Sequence, residues 1–123
     1  MNKVIGIIGT RRRDTFIDFD MVYNAFKKYY NDGDCICSGK CPQGGDRFAV
    51  IIADRLGLSK DKRMWYPANW NKYGKSAGMI RNTYIAKDSD ILIACVAGDR
   101  RGGTEDTIRK FVKMYGERNL VIV

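Results

Sequence analysis

Five short apolar runs, rich in β-branched residues and separated by amphipathic segments, constrain the fold of this chain most strongly. Each run has the length and composition of a strand that is buried on both faces of a sheet. The runs occupy residues 3–8, 34–38, 63–66 and 120–123, together with the apolar first part of residues 90–107. The resulting alternation, βαβαβαβαβ, is typical of a parallel sheet covered by helices.

The segments between the runs carry apolar residues at the i, i+3, i+4 spacing of an amphipathic helix. Asp18 or Asp20 is expected to cap the first helix, Asp46 the second and Ser76 the third, whereas Thr104 is expected to begin the fourth. Residues 67–76 are predicted to form the longest loop. The predicted core faces consist of Val22, Ala25, Phe26 and Tyr29; of Ala49, Ile52, Ala53 and Leu56; and of Ile108, Phe111, Val112 and Tyr115.

The chain is expected to form a single α/β domain over residues 1–123, a Rossmann-like three-layer fold with a five-stranded parallel sheet. Right-handed crossovers favour the strand order 3-2-1-4-5. Ligands of such sheets bind beyond the carboxyl ends of the strands, at the point where the order reverses. The predicted binding edge therefore consists of loops 9–14 and 97–103, with loop 39–45 beside them.

The formal charge of the chain is +8, from 22 Lys and Arg against 14 Asp and Glu. Such an excess favours an anionic partner, whether a nucleotide, a nucleic acid or another phosphate compound. The chain has no histidine, which excludes imidazole catalysis and histidine-ligated metals. Arg47 and Arg81 lie near predicted helix starts at the binding edge, and its loops carry Arg11, Arg12, Arg13, Lys40, Lys72, Lys75, Arg100 and Arg101.

The cysteines and the N-terminus indicate a cytoplasmic protein with no membrane partner. The apolar run at the N-terminus is too short for a signal peptide, and no run approaches the ~20 residues of a spanning helix. Cys35, Cys37, Cys41 and Cys95 are therefore expected to stay reduced. The first three resemble a metal knuckle in spacing, but buried thiols in a strand are the favoured interpretation. We predict neither a metal nor a cofactor.

A glycine loop between the fourth strand and the fourth helix is the best candidate for a phosphate site. Gly102 and Gly103 allow a ligand to approach the backbone, and Thr104, Glu105 and Asp106 suit the first turn of a helix. An ordinary capped turn has the same residues, so both interpretations stay open. Nearby aromatic residues offer a face on which a base could stack: Trp65, Tyr66, Trp70 and Tyr73. Core packing is the favoured interpretation for Trp65, whereas both interpretations stay open for Trp70 and Tyr73.

Several short motifs occur in a fixed order along the chain. They are Ile-Gly-Thr-Arg at 8–11, Gly-Gly-Asp-Arg at 44–47, Pro-Ala-Asn-Trp at 67–70 with Tyr-Gly at 73–74, Ala-Gly-Met-Ile-Arg-Asn at 77–82, and Gly-Gly-Thr-Glu-Asp-Thr at 102–107. This set resembles the SLOG superfamily, the Rossmann-like group that includes the DprA-like proteins and the Lonely Guy phosphoribohydrolases. It is most similar to the YspA-like branch, and it covers essentially the whole chain.

The resemblance implies a nucleotide or nucleotide-derived, ADP-ribose-like ligand and a homo-oligomer. The predicted ligand-binding residues are Gly9, Thr10, Arg11, Gly44, Gly45, Asp46, Trp70, Arg81, Asn82, Gly102, Gly103 and Thr104. Lonely Guy enzymes carry a catalytic glutamate where this chain has Thr107. The carboxyl groups that could replace it are Glu105, Asp106 and Asp46, although the first two also suit a helix start.

Three functions are consistent with these features. The first is a nucleotide-binding domain that acts as a sensor or sequesters its ligand. The second is an enzyme that hydrolyses the N-glycosidic bond of a nucleotide. The third is weak, DprA-like binding of single-stranded nucleic acid, which the net charge favours.

Overall fold

The computed structural model describes residues 2–123 and contains a five-stranded, entirely parallel sheet. The strands are β1 (Val4–Gly9), β2 (Cys35–Ser38), β3 (Arg63–Trp65), β4 (Ile91–Cys95) and β5 (Leu120–Ile122). Their order in the sheet is β3-β2-β1-β4-β5, which confirms the predicted topology. From β1 the chain adds β2 and β3 on one side of β1, and it then adds β4 and β5 on the other side of β1. The strand order therefore reverses between β1 and β4.

Four helices cover the two faces of the sheet. Helices α1 (Phe16–Tyr29) and α2 (Gly45–Arg55) pack on one face, and α4 (Ala77–Asp88) and α5 (Gly103–Tyr115) pack on the other. Successive side chains of a strand point to opposite faces. Accordingly, β1 contributes Ile5 and Ile7 to the core under α1 and α2, and Ile8 to the core under α4 and α5. The three-layer Rossmann-like prediction is confirmed.

The start of α1 differs from the prediction. Its N-cap is Thr15, not Asp18 or Asp20. The Thr15 hydroxyl accepts a hydrogen bond from Asp18 N at 3.2 Å, and the Asp18 carboxylate accepts one from Thr15 N at 3.2 Å. This reciprocal pair is a capping box, in which the aspartate stands at the third helical position instead of the cap.

Helix α2 begins two residues earlier than a cap at Asp46 predicts, and α5 begins one residue earlier than predicted. Neither helix has a capping side chain. Their N-cap positions are Gly44 and Gly102, with φ values of 72° and 108°. Asp46 and Thr104 are the second residues of their helices and cap neither. Glycine is suited to these positions because residues with a Cβ rarely adopt positive φ.

Residues 67–76, predicted as a loop, contain helical structure. A short helix α3 (Trp70–Tyr73) is capped by the Asn69 side chain, which accepts a hydrogen bond from Lys72 N at 3.1 Å, and a single 3₁₀ turn follows it. Three residues predicted on core faces, Tyr29, Leu56 and Tyr115, are exposed at the C-terminal ends of their helices. Periodicity alone does not reveal that these last turns leave the core.

The described part of the chain contains no helix that is both long and apolar enough to cross a bilayer. All four cysteines are free thiols, and Cys37 and Cys95 are buried in the two halves of the core. Within residues 2–123, no three side chains of the metal-binding types are grouped so that they could hold an ion.

Candidate functional site

A cavity of ≈ 380 Å³ opens where the segments after β1 and β4 diverge, at the reversal of strand order. This central cavity has the size of a small-molecule site. It is lined by Ile8, Gly9, Thr10, Arg11, Arg12, Cys41, Asp46, Arg81, Asn82, Ile85, Arg101, Gly102, Gly103, Thr104 and Thr107. The structure thus brings nine of the twelve predicted ligand-binding residues together: Gly9, Thr10, Arg11, Asp46, Arg81, Asn82, Gly102, Gly103 and Thr104.

Six lining residues were not among the predicted site residues. Arg12 and Arg101 belong to basic loops that the sequence does assign to this edge. Ile85 and Thr107 lie one helical turn beyond Arg81 and Gly103, so helical spacing would have found them. Ile8 and Cys41 carry no comparable signal, because only the packing of the strands and loops brings them to the cavity.

Three predicted ligand-binding residues lie outside the central cavity. Gly44 and Gly45 pack against the backbone of the β1–α1 connection, where an added Cβ would collide with Thr10 and with Ile8. The absence of a Cβ at these two residues therefore lets α2 start close to the sheet. Trp70 is the first residue of α3 and is 57% exposed, away from the cavity lining.

Two of the predicted catalytic carboxylates, Glu105 and Asp106, also lie outside the lining. Glu105 accepts a hydrogen bond from Arg100 Nε at 2.9 Å. Asp106 accepts hydrogen bonds from Lys110 Nζ at 2.9 Å and from Asn82 Nδ2 at 3.2 Å. Burial opposes the ionisation of Asp106, but these contacts lower its pKa below the ordinary value. Asp106 is therefore an ionised, paired carboxylate in the first turn of α5, and Glu105 pairs with Arg100 beside it.

The arginines at the carboxyl edge differ in whether their guanidinium groups have hydrogen-bond or ion-pair partners in the protein. Arg12 forms a two-pronged ion pair with Asp99 at 2.8 and 3.0 Å. Arg13 turns away from the cavity and donates to Asp18 and to the carbonyl oxygens of residues 96 and 123. Arg11 and Arg101 line the cavity, and their side chains have no hydrogen bond or ion pair with any residue in the range 2–123.

Arg81 is held in a fixed orientation at the edge of the cavity. Its Nη1 donates to the carbonyl oxygen of Gly39 at 2.9 Å, and its Nε donates to Asn82 Oδ1 at 3.0 Å. Asn82 is in turn fixed by donating to Asp106. A guanidinium that is already oriented loses little conformational freedom when it binds an anion.

The first turn of α5 faces the central cavity with unpaired donors. The backbone N–H groups of Gly103 and Thr104 have no acceptor within the described residues, since the N-cap Gly102 has no side chain. Helix N-termini carry partial positive charge and bind anions through such groups. The α5 start and the two unpaired guanidinium groups therefore direct positive charge into one space.

Asp46 is the carboxyl group that reaches this space. Its Oδ2 accepts a hydrogen bond from Cys41 N at 3.0 Å, and Arg81 Nη1 lies 4.0 Å from the same oxygen. Its Oδ1 lies 2.9 Å from Ser38 Oγ, which also lies 2.7 Å from the carbonyl oxygen of Ile7. The single Ser38 hydroxyl proton can serve only one of these two oxygens.

A protonated Asp46 would satisfy both contacts, because its Oδ1–H would donate to Ser38 Oγ and the Ser38 hydroxyl would donate to Ile7. An ionised Asp46 accepts the Ser38 hydroxyl proton instead. Burial raises the pKa of Asp46, against the hydrogen bonds from Cys41 N–H and Ser38 and the charge of Arg81. Burial therefore favours the neutral form of Asp46 in the cavity lining, and this form repels an anion less than the ionised one.

Comparison of the chain with known proteins gave no match to a family model, a curated protein or a solved structure. The chemistry of the central cavity is therefore the guide to its ligand. That chemistry combines unpaired guanidinium groups, open helix N–H groups and a carboxyl group whose pKa is raised by burial.

Proposed function

We propose that this protein binds a nucleotide or a nucleotide-derived, ADP-ribose-like molecule in the central cavity, as a sensor or a sequestering domain. One observation carries the proposal: the side chains of Arg11 and Arg101 and the open N–H groups at the start of α5 line the same cavity. A phosphate group between them would receive charge-assisted hydrogen bonds from two sides.

The expected energies are sufficient for specific binding. A hydrogen bond to a charged group contributes about 1.5–3 kcal/mol, and an anion at a helix N-terminus gains about 0.3–1 kcal/mol. Arg81, already oriented by Gly39 and Asn82, adds a further cation at the cavity wall. A pyrophosphate or a nucleoside phosphate would use several of these donors at once.

Membership of the SLOG superfamily is part of this proposal. The motifs at 8–11, 77–82 and 102–107, on which the resemblance rests, all contribute residues to the cavity lining. This convergence supports a common ligand-binding role for them. Self-association and a cytoplasmic location remain predictions from the sequence.

Isothermal titration calorimetry with AMP, ADP-ribose, NAD and cyclic nucleotides tests the proposal. We expect at least one of them to bind, and Arg101→Ala to weaken that binding about tenfold because it removes a charged donor. Arg118→Ala is the matched control, since Arg118 is an exposed arginine that does not line the cavity. Binding by none of the panel, or equal losses in the two variants, would overturn the proposal.

Hydrolysis of a nucleotide's N-glycosidic bond is a second candidate function, favoured by the Asp46 carboxyl group at the cavity wall, whose pKa is raised by burial. As the bond breaks, its electron pair would pass to the base nitrogen, which would take the Asp46 proton. Water would add to the sugar carbon and return a proton to Asp46. Binding ranks first because Glu105 and Asp106, which could stabilise the sugar cation, lie outside the lining and Thr107 is not acidic.

Chromatographic detection of free base from nucleoside monophosphates tests this second function. Asp46→Asn keeps the size of the side chain but cannot donate an acid proton, so it should abolish release. The Arg118→Ala variant should hydrolyse at the native rate. Absence of base release by the native protein would exclude the reaction for those substrates.

A further inference from the structure

A second, smaller cavity of ≈ 170 Å³ lies at the same edge of the sheet, beyond the end of β3. We call it the aromatic recess, and three tyrosines, Tyr66, Tyr73 and Tyr84, contribute rings to its lining. Its volume is below the range of sites that enclose a whole small-molecule ligand. It therefore fits one portion of a molecule, such as a single ring system.

The aromatic recess and the central cavity adjoin each other at one side chain. Arg81 lines both of them. Helix α4 places Ala77, Arg81 and Tyr84 on one face at i, i+4 and i+7, toward the recess, while Asn82 and Ile85 face the central cavity. The Tyr66 backbone is joined to the end of β2 by a hydrogen bond from its N–H to the Ser38 carbonyl oxygen at 2.8 Å.

The two cavities therefore lie side by side along the carboxyl edge of the sheet. The central cavity lies beside β1 and β4, and the recess lies beside β2 and β3. A ligand longer than the central cavity would extend along this edge, past the Arg81 guanidinium. The hydrogen bond between Arg81 and Gly39 holds that guanidinium in place at the boundary.

The lining of the recess suits a flat, weakly polar ring. The Tyr66 and Tyr84 rings stack with a centroid separation of 5.9 Å and an angle of 27° between their planes. Tyr73 is exposed, and Lys72 Nζ lies 5.1 Å from the centre of its ring. Aromatic side chains in such an arrangement bind nucleobases by stacking, because every base has a π face.

We propose that the aromatic recess is the base subsite of the ligand whose phosphate lies in the central cavity. This inference rests on the proposed nucleotide-binding function and adds to it the side chains that recognise the base. The phosphate contacts the arginines and the start of α5, and the base contacts the tyrosines beyond Arg81. Trp70, predicted from the sequence as a ligand-binding residue, does not line the recess and has no role in this subsite.

Calorimetry with and without the base tests the inference. AMP and ADP-ribose are compared with ribose 5-phosphate, which has the sugar and phosphate but no base. We expect the tighter of the two adenine compounds to bind at least about tenfold more tightly than ribose 5-phosphate, because stacking contributes to the affinity of each base. Tyr73→Ala should remove most of this advantage and leave the affinity for ribose 5-phosphate unchanged.

Tyr29→Ala is the matched control for the tyrosine variant. Tyr29 is 38% exposed against 39% for Tyr73, and it lies on α1, which packs on the other face of the sheet. It should bind all three compounds as the native protein does. The unchanged affinity for ribose 5-phosphate also shows that Tyr73→Ala is folded.

Two results would overturn the base subsite while leaving phosphate binding intact. One is equal affinity of the native protein for the adenine compounds and ribose 5-phosphate. The other is an adenine advantage that Tyr73→Ala retains. If none of the three compounds binds, the base subsite fails together with the proposed function for these ligands.

Discussion

The starts of α2 and α5 are alike in sequence and backbone but differ in what their N–H groups contact. Each follows a glycine loop, and each has a glycine N-cap with positive φ. At α2, the Asp14 carboxylate accepts hydrogen bonds from Gly44 N at 2.7 Å and Arg47 Nε at 2.9 Å. At α5, the N–H group of the N-cap Gly102 has no acceptor among the described residues, and Gly102 lines the central cavity.

The comparison shows that a helix start with a glycine N-cap can be stabilised by an internal carboxylate at one place and keep its N–H groups open to a ligand at another. At α2 the chain supplies its own anion, since the Gly44 N–H and the Arg47 guanidinium lower the pKa of Asp14. At α5 no carboxylate of the described chain takes that position, because Glu105 and Asp106 pair with basic neighbours. The motif alone therefore does not identify a ligand site; the presence or absence of an internal carboxylate does.

Substitution of the glycines just after the two N-caps should produce the largest difference between the helix starts. An added Cβ at Gly45 would collide with the backbone of Ile8 and Gly9, whereas at Gly103 the nearest atom would be Asn82 Nδ2 at 3.8 Å. We expect Gly45→Ala to lower the free energy of unfolding by about 3 kcal/mol, and Gly103→Ala by less than about 1 kcal/mol. Urea denaturation measures both, and equal losses would contradict the distinction.

Removal of the internal anion should have a smaller effect. Asp14→Asn should lower stability at neutral pH by about 1 kcal/mol, because the α2 start loses a charged acceptor. The pKa of Asp14 is lowered in the folded state. Its contribution is therefore present above the unfolded pKa of about 3.8 and is lost as the pH falls through the lower folded value.

Urea denaturation at neutral and acidic pH measures this loss. Asp20→Asn is the control, because Asp20 is an exposed residue of α1 with no side-chain partner in residues 2–123. If the two variants lose the same stability at neutral pH, the Asp14 carboxylate does not stabilise the start of α2.

The second carboxyl group of this region, Asp46, should respond in the opposite sense. Its pKa is raised in the folded state, so its contribution is complete below the unfolded pKa and declines as the pH rises toward the folded value. Asparagine reproduces the hydrogen bonds of a protonated aspartic acid and cannot ionise. Asp46→Asn should therefore raise stability at pH 7, by about 1.4 kcal/mol for each unit by which the folded pKa is raised.

The difference between the Asp46→Asn variant and the native protein should shrink as the pH falls below the unfolded pKa of about 3.8, because the native carboxyl group is then neutral in both states. Denaturation across this range, with Asp14→Asn measured in parallel, separates the two carboxyl groups. A loss of more than about 1 kcal/mol at pH 7 in Asp46→Asn would show that this carboxyl group is ionised.

Periodicity predicted the strands and the four long helices, because these depend on alternation of apolar and polar residues along the chain, and the right-handed crossover rule predicted the strand order. The N-cap predicted at Ser76 is confirmed. The predicted caps of α1 and α2 were wrong, since Asp18 in a capping box and Asp46 in a first turn look like N-caps in sequence. The helical structure of residues 67–76 was also missed. A helix of four residues, α3, is too short for periodicity to reveal.

The sequence located much of the candidate site because its residues follow strands at one edge, as Arg11 and Gly102 do. It could not predict that Asp14 fills the α2 start, which depends on the approach of two loops far apart in the chain. Nor could it separate Gly45, which packs against the backbone, from Gly103, which lines the cavity. Nucleotide binding, self-association and the binding of single-stranded nucleic acid stay predictions.

The anchoring of the segment after β1 also bears on the entropy of ligand binding. Three consecutive residues there are tied to different parts of the protein: Arg12 to Asp99, Arg13 to Asp18 and two carbonyl groups, and Asp14 to the α2 start. Arg11 is therefore an unpaired side chain on a restrained backbone. A ligand that contacts it has to order one side chain, at about 0.5–1.5 kcal/mol, without immobilising a mobile loop as well.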